Sequence, residues 1–163
     1  MKWTAELCLA LTLTLAACGG SSKKSADEQK LQQQADYWAI DQIERTWHRA
    51  ASTKNVNLMM SLWANDATFN IGTKTLNGAS EIRKFFETAG PFLPANHWVS
   101  DTPAYKIRIT VSGDKGTLYF ECHYVDTKSD KVVAAVGADQ NVQRINGKWL
   151  ITSAAGATPK LSP

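Results

Sequence analysis

Over residues 55–86 the chain changes hydrophobic period twice, and each change restricts what can form there. Val56, Met59 and Trp63, with Leu58 and Leu62 beside them, recur at the spacing of one apolar stripe on a helix. Asn55 stands where a side-chain oxygen can cap its first turn. The period then falls to two: Ala67, Phe69 and Ile71 alternate with Thr68 and Asn70, the pattern of a half-buried strand. Asn77-Gly78 tolerates positive φ, so a tight hairpin turn is expected there. Ile82, Phe85 and Phe86 return to helical spacing, and Gly90-Pro91 ends that helix.

Upstream, a core helix is expected over 36–52, with Tyr37, Ile40, Ile43, Trp47 and Ala50 on one stripe and Asp41, Glu44, Arg45 and Arg49 turned outward. Downstream, turn chemistry marks two hairpins. Ser112-Gly113-Asp114 separates strands at 105–111 and 117–125, and Asn146-Gly147 separates strands at 138–145 and 149–152. Alternation puts Tyr105, Ile107, Ile109 and Val111 on the apolar face of one strand. Leu118, Phe120, Cys122 and Tyr124 form that face of the next, which sends Tyr119, Glu121 and His123 outward. Counting back by twos from Tyr105 places His97, Val99 and Asp101 inward, with Pro103 as the point where parity can slip.

The N-terminus has the layout of an export signal: Lys2, an apolar run over 7–15 too short to span a bilayer, then Leu15-Ala16-Ala17-Cys18. These residues, followed by Gly19-Gly20, resemble a bacterial lipobox, which implies a signal peptide over 1–17 and acyl chains, palmitate among them, on Cys18. An ordinary secretory signal is the alternative. The lipoprotein reading implies an extracytoplasmic, lipid-anchored protein, sorted to the outer membrane in a two-membrane cell because no Asp follows Cys18. Residues 18–34 are polar and read as a flexible tether, leaving 35–163 as the folded domain. Processing leaves Cys122 as the single free thiol, a buried apolar filler by its strand position. A net charge of +3 with scattered Lys and Arg gives no nucleic-acid footprint.

The segments L-W-A-N-D-A and N-G-A-S-E-I-R-K-F-F, with V-S-G-D-K-G-T and R-I-N-G-K-W later, resemble the SnoaL-like branch of the NTF2-like superfamily. The resemblance implies an α+β cone: a strongly curved antiparallel sheet wrapped around three helices, with a pocket at the open end. It also suggests a homodimer through the outer sheet face, where Lys106, Arg108, Tyr119, Glu121 and His123 fall. This superfamily hosts isomerases, dehydratases, hydrolases, transport factors and binding modules, so the fold leaves the activity open.

His97, in Asn96-His97-Trp98, is the leading catalytic candidate, because dehydratases that the chain resembles place a catalytic His early in this strand; a structural histidine is the alternative. His48 is a weaker candidate at the edge of the first helix's stripe. The Tyr-Asp pair those enzymes carry at the end of the first helix reads Ala51-Ser52 here, and their late-strand polar pair falls on Val136 and Ala138. An acid/base arrangement is therefore half missing. Spacing offers no metal motif, and no cofactor is implied. Tyr37, Trp47, Trp63, Phe69, Trp98 and Phe120 are the expected pocket wall, suited to a small apolar or aromatic molecule. The two leading readings are a binding module and a lyase or isomerase using His97.

Overall fold

The computed structural model describes residues 25–157 and 159. The signal and residues 18–24 of the expected tether, Cys18 among them, lie outside these residues, while residues 26–34, read from sequence as flexible tether, form the first turns of a helix. Helix α1 (Ala26–Ser52) starts ahead of the apolar stripe, because Ser25 accepts from the Glu28 N–H while the Glu28 carboxylate accepts from the Ser25 N–H at 2.7 Å. This capping box, followed by Gln, Lys, Leu and Ala, supports helix before any packing begins. Burial starts only at Asp36. The stripe residues Ile40, Ile43, Trp47 and Ala50 are buried as expected, but Glu44 is fully buried rather than outward.

Helix α2 (Val56–Met60) is short, capped by Asn55 through the Leu58 N–H, and Trp63 already belongs to strand β1 (Trp63–Ile71). Strand β2 (Lys74–Asn77) pairs with it antiparallel. The turn between them is at Gly72-Thr73, not at Asn77-Gly78. Gly78 instead opens helix α3 (Gly78–Thr88) at φ 76°. The expected turn residues thus serve a strand-to-helix junction, where positive φ is needed for the same steric reason. A 3-10 turn, Gly90–Phe92, follows.

The remaining strands are β3 (Trp98–Ser100), β4 (Lys106–Ser112), β5 (Lys115–Asp126), β6 (Lys131–Ile145) and β7 (Lys148–Ala157). They form a sheet in the order β2-β1-β7-β6-β5-β3, with β4 sharing the edge of β5; only the β1–β7 pair is parallel. Register shifts in the β1–β7, β5–β6 and β6–β7 pairs add the local twist that curls the sheet around α1. At Gly116 there is no room for a side chain: an added Cβ would sit 2.5 Å from the Thr110 carbonyl and 3.1 Å from Ile40 Cδ1 of α1. Both marked hairpins form, with Gly113, Asn146 and Gly147 at positive φ.

Two polar networks tie the elements together. Asp36 accepts from Arg144 at 2.6 Å, Gln32 at 3.0 Å and the Trp149 indole at 3.3 Å, and Arg144 also donates to Asp114. Burial opposes the Asp36 charge, yet these donors outweigh it and hold the carboxyl below its usual range. On the outer sheet face, Glu121 accepts from Tyr119, from Lys106 at 2.9 Å and from Tyr105 at 2.8 Å, while Arg108 stacks 4.0 Å above the Tyr119 ring. The Tyr119 hydrogen bond, more than any other contact, pulls the Glu121 carboxyl down to about 2.

A folded-state pKa depressed below the ordinary 4.5 means that Glu121 stabilises the fold above that range and loses its contribution as pH falls toward about 2. Urea midpoints measured from pH 5 to pH 2 are expected to show the gap between wild type and Glu121→Gln narrowing with acid. A gap that stays constant across that window would contradict the assignment.

Candidate functional site: an aromatic cavity in the cone

A cavity of about 440 Å³ lies between α1, α3, the 3-10 turn and strands β5 to β7. Its size follows from an asymmetry of side chains. Trp47 from α1, Phe69 from β1, Phe85 and Phe86 from α3, Phe92 from the 3-10 turn, and Phe120 and Tyr124 from β5 supply rings. Strands β6 and β7 face them with Ala135, Val136, Gly137, Ala138, Gly156 and Ala157, too small to fill the space. The rings brace each other: Trp47 meets Phe86 edge-on at 5.4 Å and Phe120 at 5.7 Å, and Phe69 stacks on Phe86 at 6.0 Å.

Among the described residues, no Asp, Glu, Lys, Arg or His lines this cavity. Its polar handles are the Trp47 indole and the Tyr124 hydroxyl; burial raises the Tyr124 pKa strongly. A larger concavity of about 850 Å³ surrounds Asp36, Asp114 and Arg144, but those charges are committed to one another.

Of the expected wall, Trp47, Phe69 and Phe120 come together in the cavity. Trp63 lies one layer behind, 5.9 Å from Trp47 and 5.3 Å from Phe69. Trp98 is half-buried, packed over Gly90 and 6.4 Å from Tyr124, so it backs the wall without lining it. Tyr37 is 41 % exposed and away from the cavity. Phe85, Phe86, Phe92 and Tyr124 complete the wall beyond the expected residues; the helical spacing of Phe85 and Phe86 from Ile82 and the inward parity of Tyr124 are the sequence signals for them.

His97 is exposed outside the cavity, and its carbonyl accepts from the Thr127 N–H at 3.0 Å. Parity slips in the loop between β3 and β4, as its proline allows: Ser100 pairs with inward Tyr124, so Trp98 and Ser100 share the inner face while His97 and Val99 do not. Asp101 accordingly lies outward, where its carboxylate accepts from the His123 N–H at 2.7 Å. Tyr105 also lies outward, stacked on His123 at 4.5 Å.

A second pair was missed by the sequence reading. Glu44 and His48, one helical turn apart on α1, are both fully buried, with Glu44 Oε1 2.8 Å from His48 Nδ1. That approach is off hydrogen-bond direction, and Glu44 Oε2 and His48 Nε2 have no partner; Glu44 Oε1 accepts from the Ala104 N–H at 2.8 Å. The imidazole meets the Phe120 ring edge-on at 5.0 Å, on the far side from the cavity it does not line. Cys122 is also buried, which pushes its thiol up to about 12 and leaves it no thiolate character near neutral pH.

Residues 32–155 match the model of the SnoaL-like domain. The chain belongs to that family. A search of the curated proteins finds no match. Among solved structures, an NTF2-like protein with a cystatin-like fold from Novosphingobium aromaticivorans is 16 % identical with a TM-score of 0.72, covering 88 % of this chain and 94 % of its own. The hexachlorocyclohexane dehydrochlorinase LinA-type3 from Novosphingobium barchaimii is 17 % identical with a TM-score of 0.65, covering 82 % and 93 %. An NTF2-like protein of unknown function from Pseudomonas putida is 14 % identical with a TM-score of 0.67, covering 77 % and 88 %. These likenesses show a shared NTF2-like fold, here with three helices and a curled, unclosed sheet.

Truncating one member of the buried pair strands the other, so His48→Ala is expected to cost about 3 kcal/mol or more of unfolding free energy. The double variant Glu44→Leu/His48→Phe should cost less than the sum of its two single variants, because it strands neither carboxyl nor imidazole and leaves only the Ala104 N–H without its acceptor. Denaturant titration checks both, and a strictly additive double variant would contradict this account.

Proposed function

We propose that this SnoaL-like domain binds a small, mostly apolar molecule in the aromatic cavity, with Trp47 and Tyr124 as its polar contacts. The observation that carries this reading is a braced, ring-lined cavity whose wall, among the described residues, holds no charged group or histidine. One structural neighbour is a dehydrochlorinase, and the enzyme reading made His97 a general acid or base. Such chemistry needs a proton-transfer group within reach of the substrate. His97 lies outside the cavity and His48 behind Phe120, so binding is the reading better supported. Acylation of Cys18, following the lipobox-like sequence, would hold the domain outside the cytoplasm on a membrane. The half-buried Tyr119 and exposed Arg108 on the outer sheet face support a homodimer there, which sedimentation of the protein would test.

The apolar fluorophore N-phenyl-1-naphthylamine is expected to bind one per domain, with emission rising on transfer from water. Ala138→Phe projects a ring into the space beside Phe120 and should weaken that binding about tenfold or more without lowering the thermal midpoint, about 1.4 kcal/mol of affinity. His97→Ala should leave it unchanged. Absence of probe binding to the wild type, or equal binding by Ala138→Phe, would count against the cavity as the site.

For the anchor, Cys18→Ser should leave the domain folded and move it from the membrane to the soluble fraction. Labelled palmitate should enter only the wild type.

A further inference from the structure

The outward side of α1 carries an apolar patch that no part of the described chain covers. Leu31 and Trp38 are 65 % and 67 % exposed, and their seven-residue separation puts them on one side of the helix. Ala35 lies between them. Beside Trp38 a trough of about 620 Å³ runs between α1 and the α2 and β6–β7 connections, lined by Ala35, Ala39 and Leu58 together with polar residues, Asp36, Arg49 and Lys148 among them. Single exposed apolar residues are ordinary, but a Trp and a Leu aligned beside this trough form a contiguous patch.

The chain length ahead of the helix says what can cover it. Ser25, the cap of α1, is seven residues after Cys18. That spacer reaches at most about 25 Å whatever its conformation. Leu31 and Trp38 lie only about 9 and 20 Å farther along the helix. A lipid on Cys18 therefore keeps both side chains within reach of the bilayer surface at an effectively high local concentration.

We propose that α1 docks flat on the lipid bilayer through Leu31 and Trp38. The inference rests on Cys18 acylation. Trp suits the headgroup boundary, with an apolar ring in the acyl region and an indole N–H toward water. Arg49, exposed beside the trough, is the cation available to anionic headgroups, while Lys148 donates to the Ser61 carbonyl at 2.8 Å and Arg45 is paired with Asp41 at 2.6 Å. Trp47 is nine residues beyond Trp38, half a revolution around the helix. Docking thus turns the cavity away from the bilayer, so its ligand enters from the aqueous side.

The test uses the full acylated chain, purified from membranes and reconstituted into phosphatidylethanolamine–phosphatidylglycerol vesicles with brominated acyl chains. Trp47, Trp63 and Trp149 are buried and Trp98 half-buried, so quenchable emission in the domain belongs mainly to Trp38. Wild type should be quenched, Trp38→Phe should lose that component, and Leu31→Ser should reduce it. Vesicle-bound wild type with no quenching overturns docking while leaving the anchor intact. A blue shift of Trp38 that depends on protein density and resists bromine would mean that a second copy covers the patch, and also overturns it. If Cys18→Ser fractionates as wild type does and palmitate enters neither, the anchor fails and the docking with it.

Discussion

Trp47 is the side chain on which the interior depends. It projects from the one long helix and meets Trp63 and Phe69 of β1, Phe86 of α3 and Phe120 of β5, with ring centroids between 5.4 and 6.5 Å apart. A single residue thereby joins every layer of the domain. Removing a ring of that size from a close-packed core typically costs about 3–5 kcal/mol. The same contacts explain why the cavity persists: rings held edge-to-face by several neighbours cannot fold inward to fill it, and the Ala and Gly facing them on β6 and β7 have nothing to extend.

Buried and partly buried carboxylates solve their desolvation differently. Asp36 and Glu121 each gather three donors, so burial is offset by charge-assisted hydrogen bonds. Glu44 has the Ala104 N–H and a misaligned imidazole, with Oε2 left unpaired. The first two networks join distant parts of the chain, α1 to the last two hairpins and β4 to β5. The Glu44–His48 pair, like the buried Gln140 side chain, leaves polar atoms of the interior unpartnered, and it touches a ring that forms the cavity wall.

The SnoaL-like fold is compatible with several chemistries because the cone's scaffold and its lining are separable. In this chain the strand positions where the dehydratase-like pattern has polar residues carry Val136 and Ala138, and both line the cavity. Apolar substitution there leaves strand pairing untouched, since backbone hydrogen bonds hold β5 to β6 whatever the side chain. It changes what the interior can do.

The sequence by itself determined the α+β class, the family, the two later hairpins, the inward face of β5 and, on α1, the inward positions of Ile40, Ile43, Trp47 and Ala50. Period and turn chemistry are local properties, and Trp47, Phe69 and Phe120 could be placed inside from them alone. Tertiary structure decided the rest. Asn77-Gly78 became a helix entry because positive φ serves either use, and only pairing of Ile71 with Lys74 chose between them. His97 turned outward because parity is a running count, and the loop between β3 and β4 broke it. Glu44 went inside because the curled sheet encloses more of α1 than one stripe, which no helical wheel drawn for a flat partner would show.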